Sequence, residues 1–402
     1  MTTLPDFHDE TVLREHIATT MAFYDPRSLD PAGGFYHYYK DDGTVYDRSH
    51  RHLVSSTRFV FNNAMAAIEF DDPQYIEAAR HGLSYLRDVH RNPQTGGYAW
   101  TLSDGKPDDT TNHCYGVAFV LLAYSTAVKA GIVEALPWMD ETWDLLEKHF
   151  FEAGPGLYRD EADANWNFSS YRGQNANMHM CEAMLAAYEA SQDRRYLDRA
   201  LLLADHMTRR QATKANGLVW EHYDIHWNVD WEYNKDNPKH LFRPWGFQPG
   251  HQTEWAKLLM ILDRFLGGEG KAPAWLLPTA RHLFDEALKH AWDPEFGGIA
   301  YGFAPDGPVC DDDKYFWVQA ESLAAAALLS ERSGDPSYAM WYDKIWAYSW
   351  EHLVDHEYGA WFRILTRDNR KYDDEKSPAG KTDYHTMGAA YEVIAAMRRG
   401  WK

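Results

Sequence analysis

Gly96-Gly97-Tyr98 is one of six glycine-rich segments, most of them running into an aromatic residue, whose spacing decides how this chain folds. The segments recur every 60 to 63 residues, except between the fourth and the fifth, where the interval is 80 residues. Repetition at a fixed period is typical of stacked or closed repeat architectures. The other segments are Gly33-Gly34-Phe35, Gly156-Leu157-Tyr158, Gly217-Leu218-Val219-Trp220, Gly297-Gly298-Ile299 and Tyr358-Gly359-Ala360-Trp361.

Two helical patterns lie between successive segments. One carries charges on one face and apolar residues at i, i+3 and i+4 on the other. The second is small and apolar on nearly every side, as in residues 323–327, which is typical of a helix buried all round. Six such pairs predict an all-α fold, an (α/α)6 barrel of six inner and six outer helices, with short β-hairpins or turns at one end. The predicted outer helices are 10–24, 73–90, 137–151, 194–211, 275–291 and 335–353, and the predicted inner helices are 52–69, 113–130, 175–191, 250–266, 317–332 and 383–399.

The chain length of 402 residues would allow two domains, because single cores usually stop growing near ~250–300 residues. A closed ring of six units shares one core, however, and no linker-like or low-complexity tract divides the sequence. We therefore expect residues 1–402 to form a single barrel domain. Aromatic residues make up 15% of the chain. Most must pack in the core, but those that line the centre of a ring would suit the faces and hydroxyls of sugars.

Charge and cysteine content exclude several classes of partner. A formal net charge of −20 without a basic run argues against nucleic acid or an anionic membrane. Cys114, Cys181 and Cys310 are odd in number and lack CxxC spacing, so neither a disulfide framework nor a structural zinc is indicated. No signal-peptide pattern and no apolar stretch of ~20 residues is present. We expect a cytoplasmic protein, either a monomer or a homodimer.

The interval that breaks the rhythm contains an extra stretch, residues 227–250, which we call the lid segment. Long loops in compact domains are usually functional or disordered, and this one is too aromatic for disorder. We predict that it forms a wall or lid over the mouth of the ring. Arg243 is the side chain of this segment that we expect to contact a substrate.

The fourth inner helix opens with Pro249-Gly250-His251-Gln252-Thr253-Glu254-Trp255, so His251 lies in its first turn near the mouth. Glu254 follows three residues later and shares a helix face with His251. A carboxylate there can orient the imidazole and raise its pKa, as in a general base with its partner. The alternative is a helix-capping pair with an ordinary surface histidine.

A second histidine and an arginine have comparable positions. His385 precedes the last inner helix, so two histidines from different walls could face one cavity and act as proton donor and acceptor. Capping is the alternative for His385. Arg58 lies inside the first inner helix, where a buried guanidinium would stabilise a transient anion such as an enediolate. A structural salt bridge from Arg58 to Glu321 or Glu254 is the competing interpretation.

Other polar residues enter inner helices. Asn175 and His179 share a helix face and suit sugar hydroxyls, although Asn175 could cap its helix and His179 could be a satisfied core histidine. Glu321 stands on an apolar helix and needs a buried partner, either protein or ligand. Tyr115 opens the second inner helix, where core packing is the simpler interpretation.

No metal or cofactor is predicted. His222 and His226 stand at i and i+4, and His50 and His52 alternate, but no histidine–carboxylate set has the spacing of a metal signature. No P-loop, dinucleotide fingerprint or GxSxG elbow is present.

Three stretches together resemble the N-acylglucosamine 2-epimerase superfamily, and most closely its mannose isomerase (aldose–ketose isomerase) branch. They are Tyr171–His179, Tyr233–Pro238 and Pro249–Trp255, and the resemblance extends over essentially the whole chain. It implies a metal-independent (α/α)6 barrel that acts on free aldoses. In that family one histidine removes the C2 proton of the open-chain sugar to give a cis-enediol(ate), and a second histidine takes part in returning the proton.

The resemblance assigns roles to the candidate residues. The two histidines would be His251 and His385, with Glu254 supporting His251 and Arg58 stabilising the intermediate. Which histidine is the base is left open. Val117 departs from the family pattern, since many relatives have histidine or glutamine there, so disaccharide and amino-sugar epimerases are poorer guides. The residues that would hold or open the sugar are Asn175, His179, Tyr115, Trp317 and Glu321.

The resemblance thus predicts interconversion of D-mannose and D-fructose, with lyxose and xylulose as further substrates. A D-mannose/D-glucose 2-epimerase would use the same histidines. A glycoside hydrolase on the same barrel would need two opposed carboxylates, for which Glu254 and Glu321 are the candidates. A non-catalytic binding protein is a further alternative, because a fold does not guarantee activity.

Overall fold

The computed structural model describes residues 4–240, 242–268 and 270–401. Within these ranges the chain forms twelve α-helices joined by short strands and turns, which confirms the predicted (α/α)6 barrel. The helices are α1 (Glu10–Tyr24), α2 (Leu53–Phe70), α3 (Pro73–Tyr85), α4 (Cys114–Lys129), α5 (Leu136–Leu145), α6 (Gln174–Ser191), α7 (Arg194–Asp205), α8 (Pro249–Gly268), α9 (Leu276–Ala291), α10 (Phe316–Ser333), α11 (Pro336–His352) and α12 (Tyr384–Arg398).

The even-numbered helices form the inner ring. Each contacts the next in the order α2, α4, α6, α8, α10 and α12, and α12 contacts α2, so the ring is closed. Most residues of these helices are buried; in α8 the run from Pro249 to Asp263 is buried without interruption. This agrees with a sequence that is small and apolar on nearly every side.

The odd-numbered helices form the outer layer, each packed on one inner helix. α3, α5, α7, α9 and α11 contact the inner helix that precedes them in the chain, and α1 contacts α12. Three of them continue into a π-helical turn, at Leu86–His90, Leu146–Phe150 and His206–Gln211. Several outer helices begin at an aspartate that accepts a backbone N–H of the first turn, which satisfies one of the unpaired helix donors. These aspartates are Asp9, Asp72, Asp193 and Asp335.

Short antiparallel strands gather at the end of the barrel where the inner helices begin. They pair as hairpins or with a strand of the neighbouring unit, as in the pairing of β10 with β11. The strands are β1 (Tyr38–Lys40), β2 (Val45–Asp47), β3 (His50–His52), β4 (Thr101–Ser103), β5 (Lys106–Asp109), β6 (Asn112–His113), β7 (Phe151–Glu152), β8 (Leu157–Tyr158), β9 (Glu161–Ala162), β10 (Arg172–Gly173), β11 (His222–Tyr223), β12 (Gly302–Phe303), β13 (Val309–Asp311), β14 (Lys314–Tyr315), β15 (Ile364–Leu365) and β16 (Glu375–Ser377).

A repeated side-chain contact explains the glycine-rich segments. Gln252 of α8 accepts the N–H of Val219 at 3.0 Å and donates to its carbonyl at 2.7 Å. Asn177 holds Tyr158 in the same way, and Gln319 holds Ile299. An amide that satisfies both backbone groups of one residue fixes the segment against the start of an inner helix.

Glycine is also required where another amide, that of Asn112 on β6, approaches such a segment. At Gly97 an added Cβ would collide with the side-chain oxygen of Asn112, which accepts the N–H of Tyr98 at 3.1 Å. Gly96 has φ +76°, a left-handed conformation that residues with a Cβ rarely adopt. Each of the six segments contains a glycine with positive φ, so the repeat that is visible in the sequence is a repeated turn that favours glycine.

The apolar side chains of both layers form a buried hydrophobic cluster that extends around the ring. Large aromatic residues contribute much of it, including the fully buried Trp220, Trp255, Trp346 and Trp361. Among the described residues, none of the helices combines the length and the apolar character that a membrane crossing would require.

Candidate active site

A cavity of about 200 Å³ opens at the end of the barrel where the inner helices begin. It contains eight of the ten residues that the sequence singled out as catalytic or substrate-binding. These are Arg58, Tyr115, Asn175, His179, His251, Glu254, Trp317 and His385. The other two, Glu321 and Arg243, do not line it.

His251 lies in the first turn of α8, as predicted, and is 8% exposed. Its Nδ1 is 2.9 Å from Oε1 of Glu221, a residue between the fourth glycine segment and β11. The Nε2 atom is then left for the cavity. The expectation that Glu254 orients His251 is wrong, because the carboxylate at this ring nitrogen belongs to Glu221. The amide of Gln174 donates to both oxygens of Glu221, at 3.3 and 3.1 Å, and so fixes the carboxylate.

His385 lies in the first turn of α12 and is fixed on both ring nitrogens. Nδ1 is 2.6 Å from Oε1 of Glu321, and Nε2 is 3.1 Å from a guanidinium nitrogen of Arg58. A guanidinium only donates, so Nε2 accepts and Nδ1 carries the proton. Burial and the cation of Arg58 hold the pKa of His385 well below its ordinary value. The ring is therefore a neutral imidazole with a lone pair on Nε2.

Trp317 connects the two histidines. Its ring centroid lies 5.0 Å from that of His251 and 5.7 Å from that of His385. The indole and both imidazoles line the same cavity. Two inner helices, α8 and α12, thus present one imidazole each beside an aromatic face that suits a sugar ring.

Arg58 reaches the cavity from α2. It donates to the carbonyl of Gly380 at 2.5 Å and to the hydroxyl of Tyr115 at 3.2 Å. The guanidinium also lies over the ring of Phe119, 4.4 Å from its centroid. The alternative of a structural salt bridge to Glu321 or Glu254 is wrong: within the described residues Arg58 is bonded to neither carboxylate. A cation held by neutral groups keeps its charge available to an anionic intermediate.

His179 repeats the arrangement on α6. Its Nδ1 is 2.9 Å from Oε2 of Glu182, three residues later on the same helix. Burial lowers the pKa of His179, and the hydrogen bond to Glu182 opposes that shift. Three inner helices thus present histidines whose Nδ1 contacts a glutamate, in the pairs His179–Glu182, His251–Glu221 and His385–Glu321.

Glu254 is a buried carboxyl group without a hydrogen-bond partner among the described residues. Its nearest cationic or imidazole neighbour is His179, whose Nδ1 is 3.6 Å from Oε1. Burial and the nearby carboxylate of Glu321 raise the pKa of Glu254 well above its ordinary value. The raised pKa favours the protonated form of Glu254, which can donate a hydrogen bond into the cavity as well as accept one.

Two further polar side chains in the cavity wall are available to contact a ligand. The Oδ1 of Asn175 is buried in the cavity wall without a described partner. His52, which the sequence did not single out for this cavity, accepts the N–H of Val54 on Nδ1 at 3.1 Å, so its proton lies on Nε2. Burial lowers the pKa of His52 to about 3. It is a neutral donor throughout the physiological range.

The lid segment contributes Phe242 and Pro244 to the cavity wall. Phe242 is 50% exposed. Arg243 points elsewhere: it donates to Glu161 at 2.6 Å and lies over the ring of Tyr171, 3.9 Å from its centroid. Arg243 therefore does not line the cavity, and its guanidinium joins the lid segment to β9; its contact with substrate stays a prediction.

Glu321 was expected to hold the sugar, but it lies behind His385. Its second oxygen, Oε2, is 2.5 Å from Nζ of Lys257. Glu254, Glu321 and His385 bring three possible metal-ligand atoms within 4.8 Å of one another, and His179, Glu182 and Glu254 do the same. No spacing in the sequence predicts either complete set, because each set draws members from more than one helix. The ammonium of Lys257 already supplies a positive charge between them.

The comparisons with known proteins agree with this fold and site. The sequence model of the N-acylglucosamine 2-epimerase (GlcNAc 2-epimerase) family matches residues 34–389. A D-mannose isomerase from Marinomonas mediterranea is 56% identical over 396 residues, covering 98% of this chain and 99% of the relative. A D-mannose isomerase from Thermobifida fusca is 36% identical over 290 residues, covering 71% of this chain and 70% of the relative. A crystal structure of D-mannose isomerase matches with a TM-score of 0.95 at 56% identity, covering 98% of this chain and 100% of that chain.

The chain belongs to the N-acylglucosamine 2-epimerase family. This confirms the resemblance carried by the motifs at Tyr171–His179, Tyr233–Pro238 and Pro249–Trp255. The high identity over nearly the full length places it beside the D-mannose isomerases within that family.

Proposed function

We propose that this protein interconverts free D-mannose and D-fructose, and that it also acts on the pair lyxose and xylulose. The observation that carries this proposal is the pair His251 and His385, which line one cavity and contact the same indole. The 56% identity to a D-mannose isomerase over nearly the full chain supports the choice of sugar.

The proposed reaction moves one proton from C2 to C1 and the hydroxyl proton of O2 to O1, so that the C1 aldehyde becomes a C2 ketone. One imidazole removes the proton from C2 of the open-chain aldose, leaving a cis-enediolate, and a proton is then returned to C1. General acid–base transfer by a positioned histidine contributes typically 10²–10⁴-fold to the rate. Nε2 of His385 is unprotonated and can accept a proton, and Nε2 of His251 faces the cavity with Glu221 ready to stabilise an imidazolium.

Arg58 stabilises the enediolate in this proposal. Its guanidinium lies beside Nε2 of His385, where negative charge develops on the sugar oxygens. A fixed cation in a water-poor cavity stabilises such charge without having to reorganise. Asn175, His179, Tyr115 and the neutral Glu254 supply hydrogen-bonding groups for the sugar hydroxyls.

The hydrolase alternative finds little support in the geometry. A glycosidase needs two carboxyl groups on opposite sides of a bound sugar. Glu254 and Glu321 instead lie close together below the histidines, and Glu321 is covered by His385. The 2-epimerase alternative uses the same histidines and differs only in where the proton returns.

The test is incubation of the protein with D-mannose in heavy water, with a chelator present, followed by NMR of the products. Fructose that carries solvent deuterium at C1 is the expected result. Glucose labelled at C2 as the main product would replace the proposal with 2-epimerisation. No turnover of any free aldose would contradict both. For histidine-to-asparagine changes in the cavity, the matched control is His282→Asn. This residue lies in the outer helix α9, away from the cavity, and the variant should behave as the wild type.

We further propose that residues 1–402 act as one catalytic domain in the cytoplasm. Support comes from the hydrophobic cluster that extends around the ring and from three free cysteines, which suit a reducing compartment.

A further inference from the structure

Lys257 is a buried cation below the catalytic cavity. It lies on α8, the helix that carries His251, and its side chain is 7% exposed. Its Nζ is 2.5 Å from Oε2 of Glu321 on α10 and 3.7 Å from Oε1 of Glu182 on α6. Lys257 does not line the cavity that holds the histidines, so the reaction proposed above gives it no direct part.

Each of these carboxylates uses its other oxygen for a cavity histidine. Oε1 of Glu321 is 2.6 Å from Nδ1 of His385, and Oε2 of Glu182 is 2.9 Å from Nδ1 of His179. The chain of contacts therefore runs from one ammonium group through two carboxylates to two imidazoles. His251 lies outside this chain, because its partner is Glu221.

The ammonium of Lys257 is the cation that Glu182 and Glu321 share. Buried carboxylates stay ionised only when they are paired and hydrogen-bonded. Glu254 lacks such a partner, and burial raises its pKa well above the ordinary value. Burial also raises the pKa of Glu321, and Lys257 is the main cause that opposes this shift; for Glu182 the same cation helps to bring the pKa below its ordinary value. The titratable groups around Lys257 come from α6, α8, α10 and α12: His179, Glu182, Glu254, Glu321, Tyr384 and His385.

Loss of the ammonium would change which atom of His385 carries the proton. A buried Glu321 without its cation would take up a proton and become a donor toward Nδ1 of His385. With that acid proton on Oε1, Nδ1 would have to accept, and the ring proton would move to Nε2, where it would displace the hydrogen bond that Arg58 donates to this atom. An imidazole in that tautomer has no lone pair toward the cavity and cannot act as the base.

We propose that Lys257 is a positioning residue that fixes the Nδ1–H tautomer of His385, and of His179, by holding Glu321 and Glu182 as carboxylates. For its effect on catalysis this inference rests on the proposed function. For the tautomer it rests on the contacts alone.

A second cavity, of about 90 Å³, reaches Lys257 from below. It is lined by Lys257, Glu182 and Glu321 on one side and extends to the half-exposed Glu189 at the C-terminal end of α6. This space can accommodate the larger guanidinium of an arginine at position 257. Lys257→Arg therefore keeps the charge, and Lys257→Met removes it at similar length.

The experiment compares histidine tautomers by ¹⁵N NMR of protein labelled at histidine, with the His385 signals assigned by their absence in His385→Asn. The wild type and Lys257→Arg should show His385 as Nδ1–H, and Lys257→Met should show Nε2–H. The matched control is Lys314→Met, because Lys314 is a fully buried lysine that pairs with Asp293 and does not line the cavity. It should leave the tautomer of His385 unchanged.

Activity supplies the second readout. In Lys257→Met we expect kcat for mannose to fall about 10²–10³-fold, the range for loss of a positioned base, with KM changed much less. Nδ1–H of His385 retained in Lys257→Met would overturn the inference, and so would a switch to Nε2–H in Lys257→Arg. Should Lys257→Met fail to fold, the wild-type spectrum still decides, because Nε2–H there contradicts the inference. Absence of mannose turnover would count against the proposed function and leave the spectra as the test of Lys257.

Discussion

Oε1 of Glu221 lies 2.9 Å from Nδ1 of His251, although thirty residues separate them in the chain. The contact follows from the way the glycine-rich segments are held. Gln252, the neighbour of His251, binds both backbone groups of Val219, and Glu221 comes two residues after Val219. The same amide contact that builds the barrel end therefore delivers a carboxylate to the imidazole.

Replacing Glu221 by glutamine should impair catalysis more than binding. Glu221→Gln keeps the shape but removes the charge that stabilises an imidazolium at His251. We expect kcat for mannose to fall by about 10²-fold, within the range of general acid–base contributions, with a smaller change in KM. Steady-state kinetics check this. Glu147→Gln is the control, because Glu147 pairs with Arg199 in the outer layer; equal losses in both variants would contradict the role of Glu221.

Glu254→Gln should change how stability depends on pH. The pKa of Glu254 is raised above its ordinary value of 4.5 by burial and by Glu321. Its contribution to the free energy of unfolding is thus fully present below about pH 4.5 and is lost as the pH rises through the folded-state pKa. Glutamine does not titrate, so the Tm of Glu254→Gln relative to wild type should rise between pH 5 and pH 8.

Glu392→Gln is the control for this experiment. Burial alone would raise the pKa of Glu392, but Arg264 brings it below its ordinary value. Its contribution to stability is present above the unfolded-state pKa and is lost only as the pH falls through the folded-state pKa. The Tm difference for this variant should stay flat between pH 5 and pH 8. A flat difference for Glu254→Gln as well would show that Glu254 is ionised in the native state.

The fold could be predicted from the sequence because its two signals are local. The glycine-rich turns recur at a fixed spacing, and inner and outer helices differ in whether they have a polar face. The predicted helix 250–266 corresponds to Pro249–Gly268, and the predicted helix 73–90 to Pro73–Tyr85 with its π-helical turn. Only the helix ends differ, since capping and π-helical turns depend on contacts with neighbouring units.

The site could be predicted where a residue's position on its helix was sufficient. His251 and His385 were found because each lies in the first turn of an inner helix. The carboxylate partners of these two histidines were not found, because the pairing depends on how separate elements of the fold pack against one another. Glu254 shares a helix face with His251 but lies nearest to His179, whereas the carboxylate at His251 is that of Glu221, from the turn before β11. A usable signal exists in the position two residues after the residue held by the amide: there Glu221 follows Val219 and contacts His251, and Tyr301 follows Ile299 and lines the cavity.

Removal of the charge of Arg58 should shift the pH dependence of catalysis. Burial is the largest cause that lowers the pKa of His385, and the positive charge of Arg58 is the second largest. Arg58→Met should therefore raise that pKa and move the acidic limb of kcat/KM to higher pH. The maximal rate should fall by about 10²–10³-fold, the typical effect of losing one electrostatic stabiliser. Arg264→Met, at the opposite end of the barrel, should leave the limb in place; an unshifted limb in Arg58→Met would contradict the contact with His385.

Phe242→Ala should widen the mouth of the cavity. Phe242 lines the cavity and is half exposed, so its loss removes apolar contact with a bound sugar and frees space at the entrance. We expect KM for mannose to rise by about tenfold, equivalent to ~1.4 kcal/mol, and activity on a mannose disaccharide to rise relative to mannose. Competition between the two sugars measures this. An unchanged ratio would place Phe242 outside the path of the substrate.

The requirement for both histidines is tested most directly by the rate at which the C2 proton of mannose is removed, measured in the wild type and in each histidine variant. With mannose deuterated at C2, the wild type should show a primary isotope effect on kcat/KM. His251→Asn and His385→Asn should each lose at least about 10³-fold of the activity. If either variant keeps its rate within tenfold of wild type, proton transfer does not need that imidazole and the two-histidine account is contradicted.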